Sequence, residues 1–266
     1  MDLYYTPGSA PCRVVLLVAA ALDIQLNLKE LNLQAGEHMT TEFLKVRILT
    51  CITHTHCMCL APCRVVLLVA AALDIQRILN ELTLQAGEHM TAEFLKLNPQ
   101  HTVPTLVDDG FALWESRTIG RYLIRKYNNK ELYPEDIKIR ALIDQRLDFD
   151  LGTLYPRFGS FFYPQIFAGQ PADENLFKRL EESLDFFNSF LKGHKYAVGD
   201  TLTLADLSLV ATVSTIEAAG VSLDSYPRVE WFELVKSTAP GYEQANEKGL
   251  KKFKGLVANV KAKTEL

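Results

Sequence analysis

Two short stretches place a hydroxyl at the start of a helix, where chemistry on an anion becomes possible. Ser9 stands two residues ahead of Pro11 and the apolar run that follows it. Pro11 suits a first helical turn, since its missing N–H is no loss there. A hydroxyl in that place can donate to an anion and, together with the helix dipole, lower the pKa of a thiol. Read alone, Ser9 is better explained as a helix cap. The second stretch, Trp114-Glu115-Ser116-Arg117, opens another helix, whose free amides suit a carboxylate. A third group, His54, His56, Cys57 and Cys59, is dense in metal ligands. Its close spacing lacks the separated pairs of a structural zinc site, so no metal is expected.

These residues need elements to hold them. Asp2 to Tyr5 reads as a strand ended by the turn Thr6-Pro7-Gly8-Ser9, and Cys12 to Leu22 as a helix apolar on nearly every face. Leu26 to Leu33 reads as a strand, Ala35 to His38 as a loop and Thr40 to Lys45 as a short helix, giving βαβα. Further on, two strands around Asp109-Gly110 make a hairpin. Pro104, entering the first of them, belongs at an edge or in a cis turn. A helix then runs to about Tyr127, which completes a thioredoxin-like layout. After the polar linker Asn128 to Glu131 the helical period dominates, over Ile137 to Tyr155, Asn175 to Leu191, Leu204 to Ala218, Arg228 to Lys236 and Glu243 to Phe253. Thr203 and Asp206 have capping-box spacing. The expected fold is an α/β thioredoxin-like N-terminal domain over residues 1–128 and an all-α helical C-terminal domain over 134–266.

The N-terminal domain carries a duplicated βαβα segment. APCRVVLLVAAALDIQ stands at residues 10–25 and again at 61–76, and the copies continue to 45 and 96 with five changes. Residues 46–60 between them resemble neither neighbour. Removing one 51-residue period from 266 leaves 215 residues, and no third copy follows, so this is not a repeat fold. Only one copy fits a single sheet position. Leu60 stands in the second copy where the first has Ser9, which favours the first copy in the sheet with residues 46–96 looped out; the alternative loops out 10–60. Whichever helix is displaced has apolar residues worth about 1.5–3 kcal/mol each when buried, so it must seek burial elsewhere. Lys45-Val46-Arg47 is what a splice-donor sequence would encode, which suggests a translated intron between duplicated exons.

Composition narrows the class. With 48% hydrophobic and 23% charged residues and a net charge of −4, the chain reads as a globular protein with no call for nucleic acid or an anionic membrane as partner. The start MDLYYTPGS lacks a basic n-region and a long apolar h-region, and the longest apolar run, Val65 to Leu73, is far short of a membrane span. Five cysteines, an odd number, argue for free thiols. A cytoplasmic protein is expected.

The stretches MDLYYTPGSAPCR, LNLQAGEH, LNPQHTVPTLVDDGFALWESR, QRLDFDLGTLYPRFGSFFYPQIFA and GDTLTLADLSL resemble the insect Delta-class glutathione transferases. The 51-residue insertion departs from that pattern. The resemblance implies a homodimeric detoxification enzyme that conjugates the thiolate of its co-substrate glutathione to small hydrophobic electrophiles. It implies Ser9 as the catalytic hydroxyl and Val103, before a cis-Pro104, as the backbone partner of the cysteinyl unit. Glu115 and Ser116 would take the γ-glutamyl amine and carboxylate, supported by Arg117. His101 and either His38 or His89 would reach the glycyl carboxylate. Tyr155, Phe158, Tyr163, Ile166 and Phe167 form an aromatic cluster where an apolar electrophile could lie, Tyr155 and Tyr163 foremost. Two other readings are a non-catalytic protein that binds glutathione or apolar ligands, and an inactive product of an unspliced duplicated exon.

Overall fold

The computed structural model describes residues 2–5, 27–30, 49–52, 78–83, 91–102, 104–108, 110–225, 227–247, 250–251, 253–255 and 257–258. Ser9, His38, His89, Val103 and the His54 to Cys59 group lie outside these residues, as does the side chain of Phe167.

Among the described residues, six strands form one sheet: β1 (Asp2–Tyr5), β2 (Asn27–Glu30), β3 (Leu49–Ile52), β4 (Ile78–Thr83), β5 (Thr105–Asp108) and β6 (Phe111–Trp114). Their order is β1-β2-β4-β3-β5-β6, with a further pairing of β1 to β4. β4 and β3 are parallel, β3 and β5 antiparallel, and β5 and β6 form the expected hairpin, with Thr105 opposite Trp114. Gly110 turns that hairpin at φ +84°, a conformation glycine adopts without strain.

The four strands β4-β3-β5-β6 have the parallel and antiparallel senses of a thioredoxin-like sheet. The central place, however, is not filled as the sequence reading favoured. Residues 46–96 are not looped out, because β3 and β4 both come from them; nor are residues 10–60, which supply β2 and β3. The physical reason lies in composition. A central strand has neighbours on both edges and favours apolar, β-prone residues, which Leu49-Thr50-Cys51-Ile52 supplies. Asn27-Leu28-Lys29-Glu30 carries two charges, and Asp2-Leu3-Tyr4-Tyr5 carries one. These two strands pair with each other and with β4.

A short helix α1 (Ala92–Leu97) precedes β5, its N-cap Thr91 accepting from the Phe94 amide at 3.3 Å. Helix α2 (Ser116–Lys126) follows β6 and buries Ile119, Leu123 and Ile124. The helical part comprises α3 (Ile137–Phe149), α4 (Tyr155–Ala168), α5 (Glu174–Leu191), α6 (Leu204–Ala218) and α7 (Arg228–Thr238), with π-helical turns at Asp150–Leu154 and Glu243–Glu247. The sequence reading ended a helix at Tyr155; the structure adds α4 beyond it. Pro156 sits in the first turn of α4, where its missing N–H is tolerated, and Gly169 ends the helix at φ +60°.

Every residue of α6 except Glu217 is buried, so this helix is the axis of the helical core. A helix apolar all round must start inside the protein, and its first turn needs internal partners. Asp206 provides them. One carboxylate oxygen accepts from the Thr203 amide at 2.9 Å and the Thr203 hydroxyl at 3.1 Å, completing the capping box expected from the spacing. The other accepts from the Ala197 amide at 2.7 Å and from Trp231 Nε1 of α7 at 2.8 Å. Burial pushes the Asp206 carboxyl up, and these donors oppose that shift.

One carboxylate thus satisfies a helix start, a loop and a neighbouring helix. Asp206→Ala should lower the stability to urea by at least about 3 kcal/mol, since several buried donors are orphaned together. Thr203→Val should lower it by about 1 kcal/mol. Equal midpoints for the two variants would contradict this account.

Candidate functional site at the start of helix α2

The loop that enters β5 is built around Asn98, which is fully buried. Its side-chain amide donates to the Thr102 carbonyl at 2.8 Å, the Thr102 hydroxyl at 3.1 Å and the Thr105 hydroxyl at 2.9 Å, while its Oδ1 accepts from the Gln100 amide at 2.9 Å. The Thr105 hydroxyl in turn donates to the Thr102 carbonyl at 2.9 Å. This network fixes the chain on both sides of the buried Pro104. His101 is exposed on the same loop at φ +46°, its amide held by the Asn98 carbonyl at 2.9 Å.

The pairing of Thr105 with Trp114 brings this loop beside the start of α2. Trp114 Nε1 donates to Gln100 Oε1 at 2.7 Å, a second tie across the same place. Glu115 is the N-cap, exposed, at φ +67° and ψ 107°. A non-glycine residue at positive φ is strained by about 1–3 kcal/mol, and such strain is kept where the surroundings hold it. The first backbone bond of the helix runs from the Ile119 amide to the Glu115 carbonyl at 2.9 Å. The amides of Ser116, Arg117 and Thr118 precede that bond and form a helix N-terminus suited to a carboxylate.

Ser116 is fully buried, and Arg117 Nη1 donates to its Oγ at 3.2 Å. Arg117 faces inward. It is 4% exposed, and its Nη2 meets Asp150 Oδ2 at 2.6 Å, while the Ser208 hydroxyl donates to the same oxygen at 2.6 Å. Asp150 lies in the π-helical turn between α3 and α4, and Ser208 lies on α6. The start of α2 is therefore pinned to the helical core through a buried ion pair. The sequence reading had Arg117 but neither Asp150 nor Ser208 nor Asn98. Asp150 sits one turn past an ordinary amphipathic run, and nothing local marks it as inward-facing.

Of the residues expected to bind an electrophile, Tyr155, Phe158, Tyr163 and Ile166 are all buried on α4. Phe158 is fully buried and stacks on Phe162 with centroids 5.1 Å apart. The hydroxyls of Tyr155 and Tyr163 lie 2.6 Å apart and bond to each other. Ile166 lines a cavity of about 430 Å³ with Phe161, Phe162, Phe177 and Val221. Among the described residues no group of three or more histidine, cysteine, aspartate or glutamate side chains could hold a metal ion, and no helix is long and apolar enough to cross a membrane.

The family description "Glutathione S-transferase, N-terminal domain" matches residues 62–126, and "Glutathione S-transferase, C-terminal domain" matches residues 142–236. Among solved structures, a delta-class glutathione transferase of Nilaparvata lugens is 41% identical with a TM-score of 0.71, over 97% of this chain and 99% of that one. A Bombyx mori glutathione transferase is 34% identical with a TM-score of 0.69, over 96% and 95% of the two chains. An epsilon-class enzyme of the housefly Musca domestica is 32% identical with a TM-score of 0.68, over 97% and 95%. With a thioredoxin-like sheet, a helix start open to a carboxylate beside a buried proline, and an all-helical partner, the chain belongs to the glutathione S-transferases.

Proposed function

We propose that the protein is a Delta-class enzyme that conjugates glutathione to small apolar electrophiles, acting as a cytoplasmic homodimer in detoxification. The observation that carries this reading is the start of α2. There a strained Glu115 and a buried Ser116 stand beside the Pro104 loop, braced from behind by Arg117. The α-carboxylate of glutathione can accept hydrogen bonds from the free amides and the Ser116 hydroxyl, and its ammonium can donate to the Glu115 carboxylate. The exposed His101 stands on the neighbouring loop for the glycyl carboxylate. The backbone of Val103, next to Pro104, would pair with the cysteinyl unit, and His38 or His89 would assist at the glycyl end. For the thiol, Ser9 is the candidate that the resemblance names. A thiol titrates near 8.5 when free, so a donor at that end must stabilise the thiolate for the reaction to run near neutral pH.

The electrophile would lie against the aromatic face of α4, where Tyr155, Phe158, Tyr163 and Ile166 are grouped, with Phe167 the fifth residue that the sequence suggests. Ile166, on the wall of the 430 Å³ cavity, is the member whose surroundings best suit an apolar ligand. The strongest support for an active enzyme is that the residues holding the γ-glutamyl end form a connected network across both domains. The duplicated segment is read as the trace of a duplicated exon.

Two substitutions test the reading. Ser116→Ala should weaken glutathione binding about ten- to a hundredfold, as the loss of a charge-assisted hydrogen bond of about 1.5–3 kcal/mol implies. Titration calorimetry with glutathione would show it, and unchanged affinity would remove α2 from the site. Asp150→Asn leaves the Arg117 guanidinium buried without its counter-charge and should destabilise the fold by about 3–5 kcal/mol in denaturant titration. A variant as stable as the parent would mean that Arg117 finds another partner.

A further inference from the structure

Glycine inside a helix is less favourable than alanine, so a glycine kept there calls for a physical reason. The helical run from Ile137 to Ala168 holds two, Gly152 in the π-helical turn and Gly159 in α4. A Cβ at Gly152 would meet nothing within 4 Å. At Gly159 it would stand 3.2 Å from Cε2 and 3.3 Å from Cδ2 of Tyr163, one helical turn further on. Carbon atoms pack at about 3.5–4.0 Å, so a single methyl group at Gly159 would push the tyrosine ring. The missing side chain is where the edge of that ring lies.

The ring has little freedom to give way. Tyr163 is 8% exposed, and it meets Phe158 and Phe162 edge-on with centroids 6.0 Å and 5.9 Å away. Its hydroxyl is tied to that of Tyr155 at 2.6 Å. The hydroxyl stands at the far end of the ring from the backbone, so a push on the ring edge swings it further than the edge itself. The bond to Tyr155 then lengthens and weakens. A ring driven off Gly159 moves away from the helix, over the face on which the electrophile is placed. It also presses on Phe162, which lines the 430 Å³ cavity together with Ile166.

Resting on the glutathione-transfer reading and its placement of the electrophile on α4, we propose that Gly159 is a specificity-determining position. By carrying no side chain it lets Tyr163 lie down beside Tyr155, and so sets the room left for an apolar electrophile over α4. Gly159 touches no substrate. It is a positioning residue that acts through Tyr163, on the electrophile and not on glutathione.

The test uses the full-length protein with glutathione and a chloronitrobenzene. Gly159→Ala should raise KM for the chloronitrobenzene about fivefold or more, since one methyl group too many in an apolar site commonly changes selectivity by about tenfold or more. Its Kd for glutathione, read by titration calorimetry, should stay within about twofold of the parent. Gly152→Ala, the same change where nothing is met, should leave both constants as in the parent. A double-mutant cycle then isolates the route. In a Tyr163→Leu background the flexible side chain can give way, so Gly159→Ala should alter KM less than about twofold and should raise Tm, as alanine does in a helix.

A parent-like KM in Gly159→Ala overturns the proposal, and so does an equal rise in the Tyr163→Leu background, which would mean that the methyl group acts without Tyr163. Should Gly159→Ala fail to fold, Tyr163→Phe reads the same geometry, because it keeps the ring and removes its tie to Tyr155. It should raise KM for the chloronitrobenzene without weakening glutathione, and an unchanged KM is then the contrary result. If Tyr163→Leu raises KM while Gly159→Ala does not, only the role of Gly159 falls. If Tyr163→Leu itself has the parent KM, the electrophile does not lie on α4, and that part of the transferase reading falls with the proposal.

Discussion

The contact on which the site most depends is the buried pair of Arg117 and Asp150. A guanidinium and a carboxylate removed from water cost desolvation energy, and here the two meet at 2.6 Å with Ser208 donating to the same carboxylate oxygen, while Arg117 Nε and Asp150 Oδ1 are buried without a hydrogen-bond partner. Arg117 also holds the Ser116 hydroxyl, at the position where a ligand carboxylate would be read. One side chain therefore couples Ser116 on α2 to the π-helical turn before α4 and to the central helix α6. Such a pair adds little net stability over apolar packing, but it makes misplacement of α2 expensive.

The same economy of groups recurs at Asp206. α6 is buried along its length, so its first turn has no water to satisfy it, and one carboxylate serves the helix start, the Ala197 amide and the Trp231 indole together. Trp231 meets the ring of Phe187 edge-on at 4.8 Å, which joins α5 and α7 over that carboxylate. The helical domain also carries Asp150 and Ser208, the partners behind α2. On its other side the aromatic residues of α4 pack on one another, and the Tyr155 and Tyr163 hydroxyls, bonded together, let two tyrosines be buried without orphaned polar groups.

Local chemistry made much of this legible in advance. The hairpin around Gly110, the helix starting at Ser116, the capping box of Thr203 and Asp206 and the succession of helices after residue 136 all follow from turn residues, caps and periodicity. Those signals act within a few residues and depend little on what packs against them. Helix α4 was harder to see because two prolines usually interrupt a helix, and only Pro156's place in the first turn makes the first of them harmless.

Sequence alone determined that a thioredoxin-like unit is followed by a helical one, that a segment occurs twice, and that Glu115, Ser116 and Arg117 open a helix. It could not decide which strand stands between β4 and β5. Leu49–Ile52 is too short to announce itself, and two near-identical copies have near-identical propensities for the same place. That choice rests on a competition between strands for the same edges, settled by which one tolerates neighbours on both sides. The partners of Arg117 were equally out of reach of sequence, since Asp150 and Ser208 lie 33 and 91 residues away in the chain and become its neighbours only when three helices converge. Propensity and capping are written locally; burial and pairing arise only from the packed whole.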